Sequence, residues 1–336
     1  MIRLRHLKMA SRFVVHRFRE LHPFEVQASL LNACNLRCVY CTCPDIKTAL
    51  MTTDQWKTII RHLEALGTMR IKFQGGEPTL RRDFRELCAE AQQAGIITAV
   101  TTNGLQVVIR PELLDYLDEV VFSLDAVTPE VHDNLRGHGT HAQVVQAIDI
   151  AHERGRGLQI IVNMTVCRDN LAELEPMLEF CEARGIMVHM SPVIYSLKYS
   201  DLTAQHFALT NEQAREMHHR LAQWKRDGRG LLFSLWSYQK AADWSDFTVL
   251  TTQSSGDSPC MSGKDYIHIE PNGDVHPCGI HNADFTPKNI LADGLIEALQ
   301  HVRRHNCGDC WVPTMNERKA VFGLKPAALR EVIRRG

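Results

Sequence analysis

A parallel α/β sheet is the architecture this sequence predicts, and three observations carry the prediction. Short β-branched runs alternate with longer amphipathic segments six times after about residue 24; parallel strands require such crossover connections, and short apolar runs suit strands buried on both faces. Each run ends in a polar or glycine-rich group, the position where parallel folds place their ligands. The 336 residues, 44% of them hydrophobic, exceed one average domain yet fit one large α/β unit with a small addition. An open doubly wound sheet and a partial barrel both satisfy this pattern.

Taken in order, "EVQASLL" is the first strand and 53–66 its helix; "MRIKF" precedes a helix over 82–94, and "ITAVTT" one over 111–117. "EVVFSL" leads to 141–154, "LQIIVNM" to 171–184, and "IMVHMS" is the sixth strand. The strand ends carry a cysteine loop, then "QGGEP", "TTNG", "SLDA", "VNMTV" and "HMSPV", six consecutive polar groups that suggest one large site. Residues 195–259 break the rhythm with polar helices and three tryptophans. From Cys260 a small module follows, in which "IHIEPNGDVHPC" reads as a β-hairpin around a Pro-Asn-Gly turn.

Composition narrows the function classes. With 38 basic and 39 acidic residues there is no global electrostatic case for nucleic acid. Neither a secretory h-region nor the roughly 20 consecutive apolar residues of a membrane span is present, which predicts a cytoplasmic protein. Eleven cysteines in that reducing setting are expected to be thiols or metal ligands rather than disulfides.

Four of those cysteines fall within "CNLRCVYCTC", residues 34–43. The spacing Cys34-x3-Cys38-x2-Cys41 supplies three thiolates on one loop, enough for three irons of a cubane cluster with the fourth iron left open. With "GGEP" at 75–78, "TTNG" at 101–104, "SLDA" at 123–126 followed by "NLRG", and "VNMTV" at 162–166, the chain resembles the radical S-adenosylmethionine superfamily over most of residues 25–195. Taken singly, the cysteines could hold structural zinc and "GGEP" could be an ordinary turn. Their succession on strand ends favours the cofactor reading.

The resemblance implies a partial (β/α)6 barrel over 24–194, a [4Fe–4S] cluster on Cys34, Cys38 and Cys41, and S-adenosylmethionine chelated by the open iron. A low-potential electron, expected from a flavodoxin or ferredoxin, then yields a 5′-deoxyadenosyl radical that abstracts hydrogen from an unactivated C–H bond. By the same resemblance Tyr40 lies near the adenine, Gly75 and Gly76 allow close backbone approach, and Glu77 accepts the ammonium group. Thr102, Asn103, Ser123, Asp125, Arg136 and Asn163 are expected at the ribose or carboxylate, Ser123 and Arg136 foremost. Cys43 would block the open iron as a ligand and is expected to be a packed or semi-exposed thiol. Cys88, Cys167 and Cys181 fall in core patterns, and one of His189 and Met190 should point inward.

In the second module, Cys260-x12-Gly273-x4-Cys278 and Cys307-x2-Cys310 offer four thiolates, for tetrahedral zinc or a saturated iron–sulfur cluster. They resemble the auxiliary-cluster domain of the family, in the truncated one-cluster form called twitch, because no cysteine follows Cys310. A second [4Fe–4S] cluster with four protein ligands would transfer electrons or stabilise the fold rather than bind substrate. His281 is expected on the hairpin surface or behind the ligands. The domain plan is a basic amphipathic helix over 1–23, the barrel, a helical connector over 195–259, the twitch-like module over 260–311, and a basic tail over 312–336.

The function expected is a radical two-electron oxidation of a small molecule, the auxiliary cluster accepting an electron. The short stretch before the first strand favours a small molecule over a peptide with its own leader-binding domain. A peptide maturase and a lipid-modifying enzyme are the alternatives, the latter through peripheral membrane contact of the basic terminal helices. A non-catalytic iron–sulfur or zinc protein is the reading from another class, and it leaves the strand-end motifs without a purpose.

Overall fold

The computed structural model describes residues 13–335 apart from positions 16, 19, 156, 196–197, 201, 254–259 and 282. Six strands, β1 (Glu25–Ser29), β2 (Arg70–Gln74), β3 (Ile97–Thr102), β4 (Glu119–Ser123), β5 (Gln159–Val166) and β6 (Met187–Pro192), pair in parallel and in chain order. A doubly wound sheet reverses strand order at a switch point. No reversal occurs among these six, so the sheet winds one way around a lumen as an open partial barrel.

Strand alternation sorts residues between helix layer and lumen. Val26, Ala28, Ile71, Phe73, Val120, Phe122, Val162 and Val188 are buried with Trp56, Ile60, Leu63, Phe84, Leu87, Val144, Ile148, Met177 and Leu178 in one core. The opposite parity carries most of the polar residues, Gln27 and Ser29 on β1, Lys72 and Gln74 on β2, Ser123 on β4, Asn163 on β5 and His189 on β6, interspersed with Val121 and Ile161. These strands are therefore not apolar on both faces, and the polar face lines the lumen.

The helices Thr53–Ala65, Phe84–Gln93, Thr140–Arg154 and Leu174–Ala183 lie close to expectation. Thr52 opens the first with a capping box, accepting from the Gln55 N–H while the Gln55 side chain accepts from the Thr52 N–H. The expected helix at 111–117 is instead a short helix Leu105–Ile109 and a 3-10 turn Pro111–Leu114. Pro111 disfavours helical backbone at Arg110 (φ −132°, ψ 73°), so the helix ends before it. A further helix, Pro129–Arg136, begins with proline at its first turn and carries Arg136 to the site.

The connector holds helices Asn211–Arg226 and Leu235–Ala242. Beyond it come β7 (Thr251–Gln253), β8 (Tyr266–Ile269), β9 (Asp274–His276), β10 (Lys288–Asn289) and β11 (Cys307–Cys310). The β8–β9 hairpin turns at Gly273, whose φ of +92° suits glycine. β8 pairs in parallel with β1, so the hairpin continues the barrel sheet to nine strands, while β7 and β11 form a separate pair.

The helix Pro313–Phe322 lies across the strand N-termini. Arg318 donates to Glu25 at 2.7 and 3.1 Å, Phe322 stacks on Phe24 at 5.8 Å, and Glu317 accepts from Ser234 and Ser237. The last helix, Pro326–Arg335, follows it. The expected N-terminal basic helix falls largely on residues 1–12, outside the described residues; Phe13 packs on Phe24 at 4.9 Å and Arg17 pairs with Asp265. Among the described residues no helix is long and apolar enough to cross a membrane.

Candidate active site

The loop after β1 carries Cys34, Cys38 and Cys41, each partly exposed. It is held from several sides: Val39 N–H donates to Leu135 O (3.0 Å), Thr42 N–H to Tyr199 O (3.1 Å), and Cys38 O accepts from Cys41 N–H (3.0 Å). Burial pushes all three thiols up, Cys38 to about 11, and the Cys34 and Cys41 charges add to the rise at Cys38. The same sulfurs as thiolates would be stabilised by a metal, so the donor set fits a cluster with three protein ligands. Cys43 turns away: it is buried, and its thiol faces the Asn32 carbonyl at 3.7 Å.

"GGEP" fixes the next wall. A Cβ on Gly75 would sit 2.2 Å from Leu31 O, and one on Gly76 2.3 Å from both Asn32 O and Ala33 O. The close approach these glycines permit is to the backbone just before Cys34, sealed by Gly76 N–H to Leu31 O (2.7 Å) and Glu77 N–H to Ala33 O (2.9 Å). Glu77 is 1% exposed and accepts from Thr79 N–H (3.1 Å), Thr79 Oγ1 (2.5 Å), Thr102 Oγ1 (2.8 Å) and Asn103 N–H (2.8 Å). All four donors are neutral, no cation pairs with it among the described residues, and burial raises its pKa. A buried carboxylate so placed fits an incoming ammonium group. Asn103 also donates to Asn35 Oδ1 (2.8 Å) and lies 3.9 Å from Cys34 Sγ, tying "TTNG" to the cysteine loop.

Asp125, fully buried, organises the third side. It takes both arms of Arg136 at 2.7 and 3.0 Å, the Tyr40 hydroxyl and the Thr165 N–H (2.9 Å). His132 accepts from the Asp125 N–H, and Asn170 donates to its carbonyl. The Arg136 guanidinium lies 5.8 Å from the Tyr40 ring centre. Arg136 is thus committed to a bidentate ion pair that orients Tyr40, rather than left as a free hand for ribose. Ser123 and Asn163, opposite one another in register, face the lumen below.

A second polar group escapes the motif reading. His268 Nε2 is 3.0 Å from Ser29 Oγ and 3.4 Å from Glu270 Oε1, and Glu270 also meets Lys198 (3.4 Å) and the Tyr199 hydroxyl. The signal for it was the alternation of His268 and Glu270 within "YIHIEP", which puts both on one face of β8.

In the C-terminal module Cys278, Cys307 and Cys310 are buried and Cys260 is partly exposed. Burial raises Cys310, and the hydrogen bond of Cys307 to Cys260 together with burial raises Cys307; the thiols lie near enough that their mutual charges add to both rises. The Cys307 thiol donates to Cys260, drawing Cys260 down to about 6. Four converging sulfurs fit a saturated cluster or zinc equally. His281 is buried rather than on the hairpin surface, and His281, His305 and Cys307 place ligand atoms within 4.8 Å of one another.

Comparison with known proteins gives the family and the fold. The Radical SAM superfamily model matches residues 29–181. The mycofactocin maturase MftC of Mycobacterium tuberculosis is 30% identical over 281 residues, spanning 81% of this chain and 68% of the relative. The PqqA peptide cyclase of Gluconobacter oxydans is 26% identical over 276 residues, spanning 79% and 72%. Among solved structures, Streptococcus suis SuiB bound to precursor peptide SuiA superposes with a TM-score of 0.67 at 17% identity, covering 90% of this chain and 73% of SuiB. The enzyme anSMEcpe with bound AdoMet and Kp18Cys peptide gives 0.62 at 14%, covering 93% and 99%.

The chain belongs to the radical S-adenosylmethionine superfamily and is a radical S-adenosylmethionine enzyme. Its cofactors are a [4Fe–4S] cluster and S-adenosylmethionine, with an auxiliary cluster of the kind carried by its SPASM and twitch relatives.

Proposed function

We propose that the enzyme modifies a peptide substrate at a C–H bond, within the lumen beneath the Cys34–Cys41 loop. The observation that carries this reading is the relationship to proteins named mycofactocin maturase and PqqA peptide cyclase, with a fold shared with SuiB bound to its precursor peptide. It moves the balance away from the small-molecule dehydrogenation that the sequence suggested. The cluster and S-adenosylmethionine, when bound, supply the hydrogen-abstracting radical. The chain's own residues bind and orient: Cys34, Cys38 and Cys41 hold the catalytic cluster, Glu77 receives the ammonium group, and Tyr40, fixed by Asp125 and Arg136, flanks the cofactor. Thr102 and Asn103 hold Glu77, while Ser123 and Asn163 face substrate. Cys260, Cys278, Cys307 and Cys310 would hold the auxiliary cluster, which would supply an acceptor for the second electron of an oxidation.

The test is anaerobic turnover of the reconstituted enzyme with reduced flavodoxin or ferredoxin, S-adenosylmethionine and synthetic peptides from short reading frames flanking its gene. Loss of two hydrogens from one peptide, matched to 5′-deoxyadenosine formed, supports the reading. Deoxyadenosine formation with every peptide unchanged returns the substrate to the small-molecule class.

A further inference from the structure

The lumen continues below the proposed cofactor site as a cavity of about 600 Å³ whose lining includes Lys72, Asn163, His189, Arg318, Glu119 and Thr314. Its charged groups are unevenly paired. Arg70 bridges Glu25 and Glu119 (2.6 Å to the latter), and Arg318 takes the remaining capacity of Glu25 at 2.7 and 3.1 Å. The two guanidiniums are thus committed to Glu25 and Glu119, while the other two carboxylates of the lining accept from neutral donors, Asp118 from the Thr98 N–H and Glu317 from Ser234 and Ser237. Lys72 is the third cation, and among the described residues nothing accepts a hydrogen bond from its ammonium group. Lys72 is partly buried, and a cation held unpaired at a cavity leaves a place for a counter-charge.

Neutral donors stand around it. His189 Nε2 lies 3.0 Å from the Thr314 hydroxyl, while its Nδ1 is buried without a partner. In the tautomer whose Nε2 accepts from Thr314, Nδ1–H is a second donor. The Asn163 amide has no side-chain partner among the described residues. One cation without a hydrogen-bond partner, beside neutral donors, suits a monoanion with planar oxygens better than a phosphate dianion, since both guanidiniums are already committed and the lining already holds four carboxylates.

We propose that Lys72 forms an anion subsite in the barrel lumen that receives a carboxylate of the substrate, either a side chain or a terminus of a peptide, or a free acid. The proposal rests on the reading of the lumen as the substrate chamber. Lys72 on β2 precedes Gly75 by three residues, so its backbone lies about 10 Å below the glycine pair. An extended peptide held there presents the C–H bonds of a residue two or three positions away to the cofactor. Burial and the neighbouring Arg70 charge pull the Lys72 pKa down to about 8, against the opposing pull of Glu119 and Glu25 and with Arg318 adding to the fall; an incoming carboxylate reverses that.

The experiment is reductive methylation of the wild-type holoenzyme with formaldehyde and a borane, Lys72 being read by peptide mass spectrometry and exposed Lys47 serving as control. The competitors are glutarate, a blocked tripeptide with a free carboxyl terminus, and the same tripeptide as its amide. The free-acid peptide is expected to slow Lys72 labelling about tenfold or more, as a charge-assisted contact permits, with the amide ineffective and Lys47 unchanged. Protection by glutarate alone supports the subsite and assigns it to a small acid. Equal protection by acid and amide, or none by any competitor, overturns it. The outcome is independent of peptide turnover, so failure of the subsite and failure of the peptide reading are told apart.

Discussion

Glu77→Gln isolates the ammonium contact. In the wild type the Glu77 carboxylate is buried, holds four neutral donors and meets no protein cation among the described residues. The amide keeps its size and can still accept at one oxygen, but its NH2 then faces either the Asn103 N–H or the Thr79 and Thr102 donors. That mismatch costs about 1–2 kcal/mol of local stability whatever the ligand. The loss of the charge costs a further 1.5–3 kcal/mol, approximately, for any ligand that brings an ammonium group. Binding of S-adenosylmethionine should weaken roughly ten- to two-hundredfold. Equilibrium binding to the reconstituted protein, alongside 5′-methylthioadenosine, which lacks the amino-acid portion, separates the two effects. Only the S-adenosylmethionine affinity should carry the charge term. Equal losses for both ligands would refute the assignment of Glu77 to the ammonium group.

Glu25→Gln should loosen the helix that closes the barrel. Burial alone would raise the Glu25 carboxyl, but the Arg318 and Arg70 charges overcome it and hold it near about 2, below its ordinary 4.5. A folded value below the unfolded one means stability that is present above pH 4.5 and lost as pH falls toward 2, at most about 3 kcal/mol. Thermal melts should show the variant well below wild type at pH 7, the gap closing as pH falls toward 3; a gap independent of pH contradicts the ion pair. Gly76→Ala drives a Cβ to 2.3 Å from two carbonyl oxygens before Cys34. It should cost about 1–3 kcal/mol or more and lower iron bound at the loop, which iron assay of the purified variant reads. Asp125→Asn leaves buried Arg136 without its counter-charge, a loss of about 3–5 kcal/mol in chemical denaturation. A loss under 1 kcal/mol would show that Asp125 does not compensate it.

The strand and helix rhythm was legible because it is local, and so were "GGEP" and "TTNG", whose residues bond to neighbours on adjacent strands. The partial barrel came from the family resemblance, and the pattern alone could also have chosen it over a doubly wound sheet. Arg70, Lys72 and Gln74 alternate with Ile71 and Phe73, a period that belongs to a strand with one polar face, and reading β2 as buried on both faces passed over it. The pairing of β8 with β1 was not legible, since no turn or crossover signal links elements so distant in sequence. The same holds for Arg136: its motif gave it a place near the cofactor, but its capture by Asp125 depends on the helix Pro129–Arg136 folding back over β4. His281 was left between the hairpin surface and a place behind the ligands, and only its burial beside His305 and Cys307 decides against the surface.

Iron and labile sulfide per chain after anaerobic reconstitution, in wild type and in the Cys34→Ala/Cys38→Ala/Cys41→Ala variant, test the two-site account most directly. About eight irons in wild type and about four in the variant are predicted, one cubane cluster lost and one kept. About four irons in both proteins would contradict it, leaving the β1 loop without a cluster and the Cys34, Cys38 and Cys41 assignment without support.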